Sequence, residues 1–296
     1  MGNFEADPSR IEVPNAWKEL HTKDLNGVVM VVGDTDTGKS TLAAHLYHEL
    51  VSEGKSAALL DGDPGQGTLG PPATISLAIS GRSESTQRRE KRPMGRFVGS
   101  TSPRGHMLPM VVGASRLVEY AYRSGADCVV YDTTGLIAAK QGGLALKLAK
   151  IDLLRPALVV AIQRERELNP LLIPLRRLAH LNLVEMSPAG SVIDRNRNIR
   201  QRNRANRYKD YFSQAKELQI FWPEKAVFPR PHFMSDRLLG LEGEDGFLLG
   251  LGILLRENKN GRQITLLTPL EAIEEVKILR LGDVAVDPVT FQDRFV

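Results

Sequence analysis

The chain has a single cysteine, Cys128, among its 296 residues. That excludes an internal disulfide and any zinc cluster built on cysteine. Cys128 stands in an apolar run with Ala126, Val129 and Val130, the setting of a small core side chain and not of a reactive thiol. No stretch approaches the ~20 consecutive apolar residues of a membrane-spanning helix. The first residues carry acids and prolines where a secretory leader needs an apolar segment. These absences lead us to expect a soluble, cytoplasmic protein with no membrane partner. No internal repeat is visible, and a composition of 42% hydrophobic and 25% charged residues speaks against long disorder. It suffices for one large domain, with or without a small appendage. A net charge of +4 hints at an anionic partner, though its distribution matters more than its sum.

Along the chain, residues 1–23 read as an N-terminal arm anchored by Pro14 and Trp17. The run Val28–Val32 is continuous enough for a strand buried on both faces. A Gly-rich turn follows, then a helix over Lys39–Glu53 with Leu42, Leu46 and Leu50 at helical spacing and Gly54 closing it. Further strands are expected at Ala57–Leu60, Cys128–Tyr131 and Leu158–Ile162, with helices at Ser115–Arg123, Gly143–Ala149 and Leu168–Leu178. Such alternation predicts an α/β fold, a parallel sheet with helices on both faces, whose ligands bind at the carboxyl ends of the strands. Ser80–Arg96, polar and basic, reads as an exposed loop. Beyond residue 220 short strand-like runs (Phe247–Leu255, Gln263–Leu267) and turn signals predict a small β-rich C-terminal domain over 221–296, after a main domain over 24–220.

Gly33-Asp34-Thr35-Asp36-Thr37-Gly38-Lys39-Ser40 fits G-x-x-x-x-G-K-[ST] between a strand and a helix, the context that confirms a P-loop. Its glycines let backbone N–H groups point inward at phosphates, and the helix N-terminus adds a favourable dipole. Gly33 to Gly38, Lys39, Ser40 and Thr41 are therefore the expected triphosphate-binding residues. Lys39 is expected to reach the terminal phosphates, and the Ser40 hydroxyl to bind Mg²⁺. The donor is ATP or another nucleoside triphosphate; the motif says nothing of the acceptor.

Two expected strands end in aspartate. Asp61-Gly62-Asp63-Pro64-Gly65-Gln66 follows the strand after the P-loop helix, and Asp132 ends the Cys128 strand. A carboxylate beside a P-loop can hold magnesium or take the proton of an attacking hydroxyl. Asp63, just past its strand, suits the proton, and Asp61 suits the metal. For Asp132, turn chemistry or an N-cap stays open as the other reading.

From Asp194 to Arg207 six arginines lie within thirteen positions (195, 197, 200, 202, 204 and 207) in a segment almost free of acids. Arginine binds phosphate bidentately and stabilises charge on a transferring phosphoryl group. Residues 194–210 thus read as a lid, with some arginines for the triphosphate and others for a nucleic-acid backbone. A solvated basic helix is the plain alternative.

Together, Gly33–Thr41, Asp61–Gln66, Phe97–Pro103, Thr133–Gly135 and the arginine segment resemble the polynucleotide 5′-hydroxyl kinases. That family includes the pre-mRNA cleavage-factor and tRNA-splicing RNA kinase and the pre-rRNA-processing kinase. The likeness spans Gly27 to Phe212, with a weaker one in the tail to short prokaryotic members. It implies transfer of the ATP γ-phosphate to the 5′-hydroxyl end of single-stranded RNA or DNA. By that resemblance Lys39, Asp63, Arg195 and Arg200 are catalytic, with Asp63 as general base. Ser40, Asp61 and Asp63 serve the metal, and Thr134 and Gly135 clasp the P-loop. Gln66, Thr101, Ser102, Pro103 and Arg204 contact the acceptor strand. One departure stands out: Leu136 occupies the place of a tryptophan in eukaryotic members, which removes a stacking surface for a terminal base. A catalytically silent ATP-binding factor of the same fold, and a small-molecule or nucleoside kinase, remain the competing readings.

Overall fold

The computed structural model describes Pro14, Trp17, Leu20 and residues 25–80, 93–189 and 196–296. In chain order the elements are β1 (Gly27–Gly33), α1 (Lys39–Ser52), β2 (Ala57–Gly62), β3 (Thr74–Ile79), β4 (Met94–Phe97), α2 (Met107–Arg123) and β5 (Cys128–Thr133). They continue as α3 (Gly143–Leu154), β6 (Leu158–Ile162), α4 (Asn169–Leu175), β7 (Asn182–Met186), α5 (Arg197–Tyr211), β8 (Lys216–Phe221) and β9 (Ala226–Phe228). The last are β10 (Arg237–Glu242), β11 (Leu248–Asn258), β12 (Gln263–Thr268), β13 (Ile278–Val286) and β14 (Asp293–Phe295). The chain forms two compact units: residues 1–63, 76–93 and 110–194 make the first, and residues 64–75, 94–109 and 195–296 the second.

The first unit is the α/β part. Its strands run in the order β3-β2-β5-β1-β6-β7. β2, β5, β1, β6 and β7 are parallel, and β3 closes one edge antiparallel to β2, so the sheet is mixed at that edge. The central strands are buried almost throughout, which is why their sequences are continuous apolar runs and not alternating ones. α1 packs Leu42, Leu46 and Leu50 inward. Trp17 is buried against the ring of His45 on that helix, centroids 5.6 Å apart. Helices α2 and α3 run longer than their periodic patterns indicate. α4 is short, with Pro170 at its start and Pro174 inside it.

The second unit is built mainly on antiparallel strands, with β9 parallel to β13. β10 lies between β11 and β13 and is buried along its whole length. Successive residues on β10 serve opposite faces: Leu238 joins Phe97, Tyr208, Phe212 and Leu251 in one core, and Leu239 joins Ile220, Ile264 and Leu279 in another. Two departures from the sequence reading follow. Met94 to Arg96, expected within the exposed loop Ser80–Arg96, belong to the strand Met94–Phe97, whose Gly95 pairs with Leu248 of β11; residues 81–92 of that loop lie outside the described residues. The boundary expected at 220/221 falls inside the second unit, because β8 pairs with β12 and α5 with its C-cap residue buries Tyr208 and Phe212 in the first of these cores.

Gly240 of β10 has no room for a side chain: a Cβ there would stand 2.5 Å from Phe97 Cγ. Overpacking a buried ring forces it off its rotamer. Gly240→Ala should lower stability by roughly 1–3 kcal/mol, read from urea denaturation; an unchanged midpoint would mean that Phe97 can step aside.

Candidate active site

Register brings the polar strand ends of the first unit together. Asp61 on β2 is the parallel partner of Asp132 on β5, and Val31 on β1 pairs with Asp132 as well. The chain leaves β1 at Gly33, where a Cβ would meet the Ile162 carbonyl and Thr37 Oγ1 at 2.7 Å. It then wraps into α1 through Gly38, whose φ of 87° favours glycine. Internal bonds brace the loop. Asp34 Oδ1 accepts from the Thr35 N–H at 2.6 Å, and Thr37 Oγ1 donates to the Asp34 carbonyl at 2.9 Å. Lys39 Nζ donates to that same carbonyl. Ser40 and Thr41 are exposed at the start of α1. The result is a glycine-edged cradle at a helix N-terminus, the form that receives phosphate.

The electrostatics are those of a buried, balanced cluster. Burial pulls the Lys39 ammonium below its ordinary value, and the charges of Asp132, Asp63, Asp34 and Asp36 oppose that. Burial, then the charge of Asp61, pushes the Asp132 carboxyl up to about 7, against Lys39 and a hydrogen bond from Ser40. Asp132 Oδ1 is buried with no hydrogen-bond partner among the described residues. Asp61 is also buried and accepts the Asp63 N–H at 3.2 Å, while Asp63 itself is half-buried. An orphaned carboxylate oxygen beside a serine hydroxyl and two more carboxylates is a donor set that suits a hard divalent cation such as Mg²⁺. Among the described residues no three such side chains close into a metal cage. That agrees with an ion held chiefly by phosphate and water.

Thr134 and Gly135 follow β5, and Gly135 lies directly against the P-loop. A Cβ on Gly135 would lie 2.7 Å from the backbone N and Cα of Thr35. Three further groups belong to this neighbourhood, and sequence reading did not select them. Arg164, exposed after β6, donates to the carbonyls of Thr35 (3.4 Å) and Asp36. Lys147 of α3, fully buried, donates to the Thr134 carbonyl at 2.7 Å. Lys150, one turn further on, lies 4.8 Å over the Tyr131 ring. Burial pulls both lysines down, Lys150 to about 7. The only sign of the pair in the sequence is two lysines three apart within the apolar run Leu144–Ile151.

The candidate acceptor residues lie in the second unit. Asn196 caps α5, its side chain accepting from the Ile199 N–H at 2.9 Å. Arg197 and Arg202 are exposed, and Arg200, Arg204 and Arg207 are half-buried. Gln66 Nε2 donates to the Arg200 carbonyl at 3.4 Å. Arg204 forms an ion pair with the buried Asp293 at 3.0 Å, and Thr101 Oγ1 donates to the same carboxylate at 3.3 Å. Arg207 donates to the Gly70 carbonyl. Gly65 to Thr68 and the α5 residues Asn203, Arg204, Asn206 and Arg207 line a cavity of about 340 Å³. Ser102 and Pro103 are half-buried in the loop before α2. Arg195 lies outside the described residues.

Residues 33–214 match the family model of the mRNA cleavage and polyadenylation factor CLP1 P-loop. The chain is 30% identical to a polyribonucleotide 5′-hydroxyl-kinase of Pyrococcus furiosus, over 92% of this chain and 91% of that one. A polyribonucleotide 5′-hydroxyl-kinase of Methanocaldococcus jannaschii is 29% identical, over 88% of this chain and 87% of that one. Among solved structures, Clp1p in complex with Pcf11p superposes with a TM-score of 0.69 at 14% identity, covering 92% of this chain and 77% of that one. At that identity the likeness is one of fold.

A Cβ on Gly135 would meet the Thr35 backbone as well as its Oγ1, so turning a side chain alone cannot relieve the clash. Gly135→Ala should weaken ATP binding by about tenfold or more, the scale on which displaced binding groups are felt. Calorimetric titration checks this, with the melting temperature as the control for folding.

Proposed function

The chain belongs to the CLP1 P-loop family, and we propose on that premise that it is an ATP-dependent polynucleotide 5′-hydroxyl kinase acting on RNA. The observation that carries this reading is the sharing of one electrostatic neighbourhood by Lys39 and Asp63. The first belongs to a phosphate cradle, and the second stands one residue beyond a parallel strand. A bare nucleotide-binding module needs the former and has no use for the latter.

The chemistry is an in-line displacement. The 5′-hydroxyl oxygen bonds to the γ-phosphorus of ATP as the bond from that phosphorus to the β–γ bridging oxygen breaks. ADP leaves, and the hydroxyl proton passes to the Asp63 carboxylate. The P-loop N–H groups and Lys39 bind the terminal phosphates and stabilise their charge. Ser40, Asp61, Asp63 and the free oxygen of Asp132 would form a polar edge beside Mg²⁺, an open site and not, among the described residues, a closed cage, and the ion when bound would neutralise charge on the phosphates. Thr134 and Gly135 keep the loop in its binding shape. Arg195 and Arg200 are proposed as the lid cations, and Gln66, Thr101, Ser102, Pro103 and Arg204 as contacts to the acceptor strand. Leu136 offers no aromatic face, so the end nucleotide is recognised without stacking at that position. DNA as a second acceptor, and single-strandedness, rest on the motif resemblance.

Labelled ATP with matched RNA and DNA oligonucleotides bearing 5′-hydroxyl ends tests the reading. Lys39→Ala and Asp63→Asn should each lose about 10²–10⁴-fold in transfer, the range of general-base and charge-stabilising groups. Asp63→Asn should keep most of its ATP affinity. Absence of transfer with any divalent cation would leave a silent ATP-binding factor. Equal use of free nucleosides, without a steep salt dependence of oligonucleotide binding, would indicate a small-molecule kinase.

A further inference from the structure

Lys147 and Lys150 have no part in the chemistry above, yet each is almost wholly buried, at 2% and 1% exposure. A buried ammonium is costly unless its surroundings compensate it. A carbonyl oxygen and the face of a phenol ring offset a full charge only in part, so packing alone gives no reason for lysine at either place. Both contacts lead to the active site. Lys147 holds the Thr134 carbonyl at 2.7 Å, and the next residue, Gly135, lies against the Thr35 backbone of the P-loop. Lys150 sits 4.8 Å over the Tyr131 ring, and that ring's edge packs on Gly62, where a Cβ would come within 2.4 Å of it. Asp63 is the next residue.

We propose that α3 is a positioning element with two buried lysines, Lys147 setting the ATP loop through Thr134, Gly135 and Thr35, and Lys150 setting Asp63 through Tyr131 and Gly62. The second half rests on the kinase reading; the first needs only ATP binding. Lysine suits the task because its four-carbon stem reaches across a core and its ammonium fixes a carbonyl or a ring from below. The charges agree with the geometry. Burial, then the charges of Lys39 and Lys150, hold the Lys147 ammonium down while Asp63 and Asp132 draw it up; burial holds Lys150 down and Asp63 draws it up. Cations and acids therefore sense one another within a single unit.

The test compares Lys147→Met and Lys150→Met. Replacing a buried charge by an apolar side chain of similar volume is often tolerated, so both variants should fold, as circular dichroism and melting temperature will report. Lys147→Met should weaken ATP binding about tenfold by calorimetry, the lower end for loss of a supporting group behind a binding residue. Lys150→Met should bind ATP within about twofold of the wild type and lose about tenfold or more in kcat. If Lys147→Met does not fold, Lys147→Gln, which keeps a donor without the charge, should show a smaller loss of the same kind. Wild-type ATP affinity in the Lys147 variants overturns the proposal. So do equal losses in both parameters for both positions, in step with melting temperature. If the wild type itself transfers no phosphate, the kinase reading fails and the calorimetry still decides the Lys147 half.

Discussion

Everything at the candidate active site depends on the parallel register of β2, β5 and β1. Parallel strands present their carboxyl ends on one edge, and here the register sets Asp61 level with Asp132 and Val31. One step of slippage in β5 would turn Asp132 to the other face of the sheet and carry Thr134 and Gly135 away from Thr35. The strands are therefore buried and apolar up to the residue where chemistry begins, and the transition is abrupt. Val-Val-Tyr gives way to Asp-Thr-Thr-Gly within four positions, so the same hydrogen-bond ladder that stabilises the sheet aligns its polar ends.

That abruptness creates an electrostatic problem. Asp61, Asp132, Lys39, Lys147 and Lys150 are all buried, with Asp63 beside them. Burial drives Asp132 toward neutrality and the lysines toward loss of their protons, while the attraction of opposite charges opposes both. Opposite charges placed near one another are a mutual remedy for desolvation. They also leave a preorganised field at the strand ends, where a transferring phosphoryl group would bring its own charge.

The P-loop was legible because it is local: nine consecutive residues between an apolar run and a helical pattern carry all of its geometry. Asp63 was legible for the same reason, one residue past a strand. Lys147 and Lys150 were not. Lysines on an apolar helix usually turn their ammonium groups to water along the helix flank, and only the placement of α3 behind β5 buries them. β4 was missed because it has four residues and follows a run of charges, so its pairing with β11 has no local signature. Arg204 shows the same limit from the other side. The family resemblance gives it a place at the acceptor strand, but no local pattern announces its partner Asp293, 89 residues further along the chain.

The pairing of Arg204 with Asp293 has a practical corollary for handling the protein. Asp293 is only 8% exposed, and mobile ions screen a buried pair far less than an exposed one. Arg197 and Arg202 are open to solvent on the same helix, where dissolved salt screens their charge strongly. A concentrated salt wash during purification can thus strip adventitious polyanions from α5 while its ionic anchor to β14 holds. The two classes of arginine on one helix differ in how they answer ionic strength.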